Sequence, residues 1–160
     1  MVKAVGVVGG GIMGSGIAEV AARSGCDVVL REVNEAAVEG AQARLTASLD
    51  KAVRNGKLAL GERNAIIDRV RFTDTLDDLS ECDLVAEAAV EDEDAKTVIF
   101  AALGKVVRPD ALLTSNATHE QYVIHTDHET RRGDARPPAR RGHALLQPGD
   151  GSAVGRSHSM

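Results

Sequence analysis

Three glycines spaced Gly9-x-Gly11-x-x-Gly14 follow the apolar run Val5-Gly6-Val7-Val8 and lead into a helix-compatible stretch. That spacing can hold a pyrophosphate. The first glycine permits a tight strand-to-helix turn, the second lets the backbone come up to the diphosphate, and the third lets the helix pack closely on the strand. The helix start then offers unpaired N–H donors and the positive end of its dipole to the phosphates. Glycine-rich turns without a nucleotide share this spacing, so the strand before it and the helix after it are what give it weight. Glu32, about twenty residues beyond the fingerprint, stands where an acid accepts both ribose hydroxyls of NAD and repels the 2′-phosphate of NADP. The alternative for Glu32 is a solvated acid at a strand end. Arg31 beside it is the single argument for NADP.

The elements that must position these residues are read from periodicity and stop signals. A strand is expected over Lys3–Val8 and a helix over Gly11–Ser24, with Ile12, Ala18, Val20 and Ala21 on its apolar side and Gly25 as its cap. Val28-Val29-Leu30 reads as a buried strand. Asn34 is a good N-cap for a long helix over Glu35–Asn55, its apolar face made by Ala37, Leu45, Leu49, Ala52 and Val53 and its end marked by Gly56. A second helix, Gly61–Asp68, precedes the strand Val70-Arg71-Phe72, and Leu76–Leu79 makes one turn. Asp83–Glu87 is the fourth strand. A helix over Asp92–Val107 follows, with Val98, Ile99, Ala102, Leu103 and Val106 inward, then the strand Ala111–Ser115. Strands alternating with helices predict an α/β fold, a Rossmann-type doubly wound parallel sheet with ligands at the carboxyl ends of its strands. The fingerprint, Glu32, the Ala88–Glu91 loop and Asn116 all fall on that edge.

Length and composition fit one soluble globular domain of 160 residues with a formal charge of −5, which argues against a nucleic-acid footprint. No apolar run approaches a membrane span, and the start of the chain has no basic signal-peptide pattern. Cys26 and Cys82 lack ligand spacing and read as core thiols of a reducing, cytoplasmic compartment. The chain divides near Thr118. Residues 1–118 carry 13 Lys+Arg and 19 Asp+Glu, whereas 119–160 carry 6 and 5, with all five histidines and no lysine.

Val7-Val8-Gly9-Gly10-Gly11-Ile12-Met13-Gly14-Ser15-Gly16-Ile17-Ala18, the hairpin ending Asn55-Gly56-Lys57, and Asp83-Leu84-Val85-Ala86-Glu87-Ala88-Ala89-Val90-Glu91 together resemble the NAD-binding domain of the 3-hydroxyacyl-CoA dehydrogenases. The likeness is strongest to bacterial 3-hydroxybutyryl-CoA dehydrogenases and covers about residues 2–116, with Ser115-Asn116 matching the start of the family's SNTSS motif. The resemblance implies hydride transfer between NAD and the 3-hydroxyl carbon of an acyl-CoA, with a His–Glu pair doing the acid–base work. It implies cofactor contacts at Gly9, Gly11, Ile12, Met13 and Gly14, with Glu32 at the adenosine ribose. Ala89, Val90, Glu91 and Lys96 would line the nicotinamide-ribose side, with Asn116 nearby. For Lys96 the alternative is a solvated helix lysine, and Glu87 reads as a structural acid at a strand end.

The resemblance breaks at Ser115-Asn116-Ala117-Thr118-His119-Glu120. Thr118 falls at the family's substrate-contacting serine, but its neighbours differ. The family's HFFNP motif, which carries the acid–base histidine, is absent, and residues 1–118 contain no histidine. The helical domain that carries the family's dimer interface does not follow. His143-Ala144-Leu145-Leu146-Gln147-Pro148 can be encoded by CAT GCA CTT CTT CAA CCC, which one base later reads Met-His-Phe-Phe-Asn-Pro. Asp127–Arg131, read with the same shift, can give Thr-Met-Lys-Leu. Residues 119–160 are therefore expected to be an out-of-frame, disordered tail. His125 and His128 then mimic a metal pair by accident, and no metal site is expected.

Three functions stay open. The chain is an NAD-dependent 3-hydroxyacyl-CoA dehydrogenase by descent, or a lone module that binds NAD(H) and turns nothing over. The third possibility is a solitary domain whose exposed former interface associates or aggregates. Acyl-CoA is the partner the resemblance implies; nucleic acid and membrane are not expected.

Overall fold

The computed structural model describes residues 1–89, 92–115 and the short strand 123–125. The elements run β1 (Ala4–Val8), α1 (Ile12–Arg23), β2 (Asp27–Arg31), α2 (Glu35–Arg54), α3 (Leu60–Asp68) and β3 (Val70–Thr73). After a 3₁₀ turn over Leu76–Leu79 come β4 (Leu84–Glu87), α4 (Glu93–Val106), β5 (Leu112–Ser115) and β6 (Val123–His125). Every expected element is present, with boundaries moved by a residue or two.

The strands form one sheet in the order β3-β2-β1-β4-β5-β6. The first five are parallel, each in register with its neighbour, as in Val7 opposite Leu30 and Val7 opposite Ala86. The chain moves outward from β1 to β3, then returns to β1's other side for β4. That reversal makes β1/β4 the switch point, and the crevice beyond the carboxyl ends there is where such sheets take ligands. β6 was not expected. Val123–His125, within the segment read as a tail, pairs antiparallel with β5.

Alternation along the strands sends side chains to two cores. Val5, Val7, Val28 and Leu30 meet Ala18, Ala22, Leu45, Leu49 and Ile66 on the α1–α3 face. Val8, Val85 and Leu113 meet Leu79, Leu103 and Val107 on the α4 face. Fully burying a leucine or valine contributes about 1.5–3 kcal/mol, so α2 is docked chiefly by Leu45 and Leu49, both fully buried. Asn34 caps α2 as expected, its Oδ1 accepting from Ala37 N–H at 2.9 Å. Gly25 and Gly56 follow α1 and α2 at positive φ. Cys82 is buried, which pushes its thiol up to about 11, whereas Cys26 is only half-buried.

Three inward assignments are corrected. Ile12, Val20 and Val98 are exposed by 84%, 65% and 69%. In α1 the reason is angular. Gly14, Ser15, Ala18 and Ala22 form one buried face, and Val20, two residues from both Ala18 and Ala22, stands about 160° round the helix from each of them. In α4, Leu103 is fully buried and Ile99 and Phe100 pack against the same cluster, which leaves Val98 on the solvent side.

Candidate functional site

The fingerprint turn lies at the switch point. Gly9 has φ +96°, a backbone region closed to most side chains, and a Cβ there would sit 2.5 Å from Ala89 Cα. A Cβ on Gly14 would lie 1.7 Å from the Gly9 carbonyl oxygen, so α1 can cross the strand end only with glycine at that position. Gly11 is different. An added Cβ would meet nothing within 4 Å, and no side chain caps the helix it starts. The start of α1 thus has open space at Gly11 and no side chain on its first-turn N–H groups, as an anion site needs.

Glu32 leaves the end of β2 and reaches back to this turn. Its Oε1 accepts from Gly10 N–H at 2.5 Å and its Oε2 from Val33 N–H at 3.2 Å. The Gly10 carbonyl is held from the other side by the Ser15 hydroxyl at 2.8 Å and by the Arg44 guanidinium. The two successive peptides that meet at Gly10 are thus fixed, one at its donor and the next at its acceptor. Ser15 and Arg44 had not been singled out from the sequence. Arg44 is 34 positions from Gly10, and only the docking of α2 brings it there. Arg31, the one argument for NADP, points elsewhere and donates to Asp74 O at 3.3 Å.

On the other side of β1, Ala88 N–H donates to Val8 O at 2.8 Å and fastens the β4 loop to the fingerprint strand. Ala89 is half-buried against Gly9. Lys96 is half-buried in the first turn of α4. Glu87 is a buried acid at the end of β4. Val90, Glu91, Asn116 and Thr118 lie outside the described residues. Ile12, Met13 and Val33 are exposed by 84%, 58% and 66%. These apolar side chains flank the turn and Glu32, where a bound nucleotide would cover them.

The open helix start, the carboxylate at the end of β2 and the glycine-only crossing define a Rossmann-type dinucleotide-binding domain. Comparison with known proteins narrows this. The family model for the 3-hydroxyacyl-CoA dehydrogenase NAD-binding domain matches residues 4–126, and the chain belongs to that family. It is 48% identical over 118 residues to the 3-hydroxybutyryl-CoA dehydrogenase of Mycobacterium tuberculosis, a match covering 73% of this chain and 41% of the relative. It is 40% identical over 113 residues to a probable 3-hydroxybutyryl-CoA dehydrogenase of Deinococcus radiodurans, covering 71% and 40%. Among solved structures, M. tuberculosis FadB2 superimposes with a TM-score of 0.72 at 48% identity, over 73% of this chain and 41% of that one. The Ralstonia eutropha (S)-3-hydroxybutyryl-CoA dehydrogenase gives 0.70 at 33% identity, over 72% and 41%. The chain therefore spans about two fifths of the length of these relatives, and the shared part is the cofactor domain, whose dinucleotide is NAD.

Proposed function

We propose that this chain is the NAD(H)-holding part of a 3-hydroxybutyryl-CoA-type dehydrogenase, and that by itself it binds the cofactor without turning over substrate. The observation that carries the reading is the edge at β1/β4, where the uncapped start of α1 opens beyond Gly11 and Glu32 stands beside it. NAD, when bound, takes up or releases the hydride. The residues of the chain have other tasks. The first turn of α1 would hold the pyrophosphate, Glu32 the adenosine ribose, and Ala89, Val90, Glu91, Lys96 and Asn116 the nicotinamide-ribose side. The resemblance implies an imidazole as the base that takes the 3-hydroxyl proton of an acyl-CoA, and residues 1–118 contain none.

The domain division at Thr118 and the out-of-frame origin of 119–160 belong to the same proposal. The match to the M. tuberculosis relative covers 73% of the chain, a share that fits such a division, while the family match and β6 run a few residues beyond Thr118. Sequencing the encoding DNA in all frames tests it; a shifted frame without the family's continuation overturns it. The free Cys26 and Cys82 favour a reducing cytoplasm, and no helix among the described residues is long and apolar enough to cross a membrane.

Titration with NADH, followed by an assay with acetoacetyl-CoA, tests the function. The expected outcome is saturable NADH binding with no oxidation of NADH. Turnover would overturn the non-catalytic reading, and absence of binding would overturn the cofactor reading.

A further inference from the structure

Glu87 is 1% exposed at the carboxyl end of β4, and the other buried polar residues described are the serines Ser15 and Ser115. Burying a carboxylate is costly unless its oxygens are hydrogen-bonded. Here they are, and by different elements. The Ser115 hydroxyl, at the end of β5, donates to Oε2 at 2.7 Å, and Ala89 N–H, in the loop after β4, donates to Oε1 at 2.8 Å. Ala89 is also the residue against which Gly9 is packed. One acid thus ties the end of β5, the β4 loop and the fingerprint turn.

The opposite side of β1 has its own tie, in which Glu32 holds the Gly10 N–H and Ser15 and Arg44 hold the Gly10 carbonyl. In the order β3-β2-β1-β4-β5 the two ties flank β1. A dinucleotide lying across the switch point, with its adenosine ribose at the β2 acid, puts its nicotinamide half on the β4–β5 side. We infer that Glu87 is a positioning residue for the nicotinamide half of the cofactor, setting the β4 loop and the end of β5 against each other without touching the ligand. The inference rests on the reading of this edge as an NAD(H) site.

The test separates the two halves of the ligand. In the full chain, Glu87→Ala removes both contacts, and Ser115→Ala removes one while leaving the acid and Ala89 in place. NADH and ADP, which lacks the nicotinamide and its ribose, are titrated against each variant. Glu87→Ala should weaken NADH about tenfold and Ser115→Ala about threefold, with ADP changed less than about twofold in both. Equal loss of both ligands would reduce Glu87 to a structural acid and overturn the inference, as would unchanged NADH affinity. If Glu87→Ala fails to fold, Ser115→Ala decides by the same comparison. Failure of the wild-type chain to bind either ligand would remove the cofactor reading and this inference together. Wild-type binding with equal losses in the variants removes the inference alone.

Discussion

Gly14 leaves no room for any side chain. Its missing Cβ would fall 1.7 Å from the Gly9 carbonyl oxygen, and that oxygen belongs to backbone fixed at φ +96°. An alanine there can be accommodated only if α1 moves off the strand end and carries the first-turn N–H groups away from the phosphates. Gly14→Ala should therefore cost about 1–3 kcal/mol of stability, the usual range for overpacking, and abolish NADH binding in a fluorescence titration. Wild-type affinity in a folded variant would contradict this geometry. Gly11→Ala is the control, since its Cβ would meet nothing in the protein; any loss of affinity there reports on the ligand alone. These glycines were legible because their spacing is local. Ser15, Arg44 and the Glu87–Ser115 pair were not, since the last two contacts span 34 and 28 positions and arise only when α2 and β5 dock.

The elements are fastened at the opposite edge of the sheet as well. The Asp83 Oδ2 accepts from Lys3 N–H at 2.7 Å and from Ala4 N–H at 2.9 Å, and its Oδ1 meets the Arg108 guanidinium. This joins the start of β1, the start of β4 and the turn after α4. The two backbone donors, with Arg108, hold the Asp83 carboxyl at about 2, below its ordinary 3.8. Because the folded value is the lower one, the ionised form favours folding. Its contribution is complete above the unfolded value and is lost as pH falls from about 4 through 2. Asp83→Asn should lower the melting temperature at neutral pH, and the gap from wild type should close on acidification through that window. A constant gap down to pH 2 would show that the carboxylate's charge plays no part. At this scale strands and caps are legible in the sequence, and helix faces are less so. Val20 is apolar, but it lies about 170° round α1 from the face made by Gly14, Ser15, Ala18 and Ala22, so its spacing and not its residue type decides its exposure.

For the molecule as a whole, the question is how much stability a cofactor domain holds alone. Domains carry only about 5–15 kcal/mol. The sheet divides the interior into two separate clusters. The outer edge of β5 is covered by a strand of only three residues. Such a fold should be marginal, melting below about 60 °C, the upper part of the ordinary range for domains of this size. A cofactor that binds only the folded form then adds RT ln(1 + [L]/Kd), about 2.7 kcal/mol at a hundredfold excess over Kd. NADH should accordingly raise the melting temperature in proportion to the logarithm of its concentration, and ADP-ribose should raise it less. A two-state transition well above 60 °C without ligand would contradict the marginal fold. Melting unmoved by either ligand would contradict the nucleotide site. The same samples, followed by light scattering, show whether the exposed apolar residues beside the turn, Ile12, Met13 and Val33, drive association. Suppression of scattering by NADH would place the sticky surface on the edge that the cofactor covers.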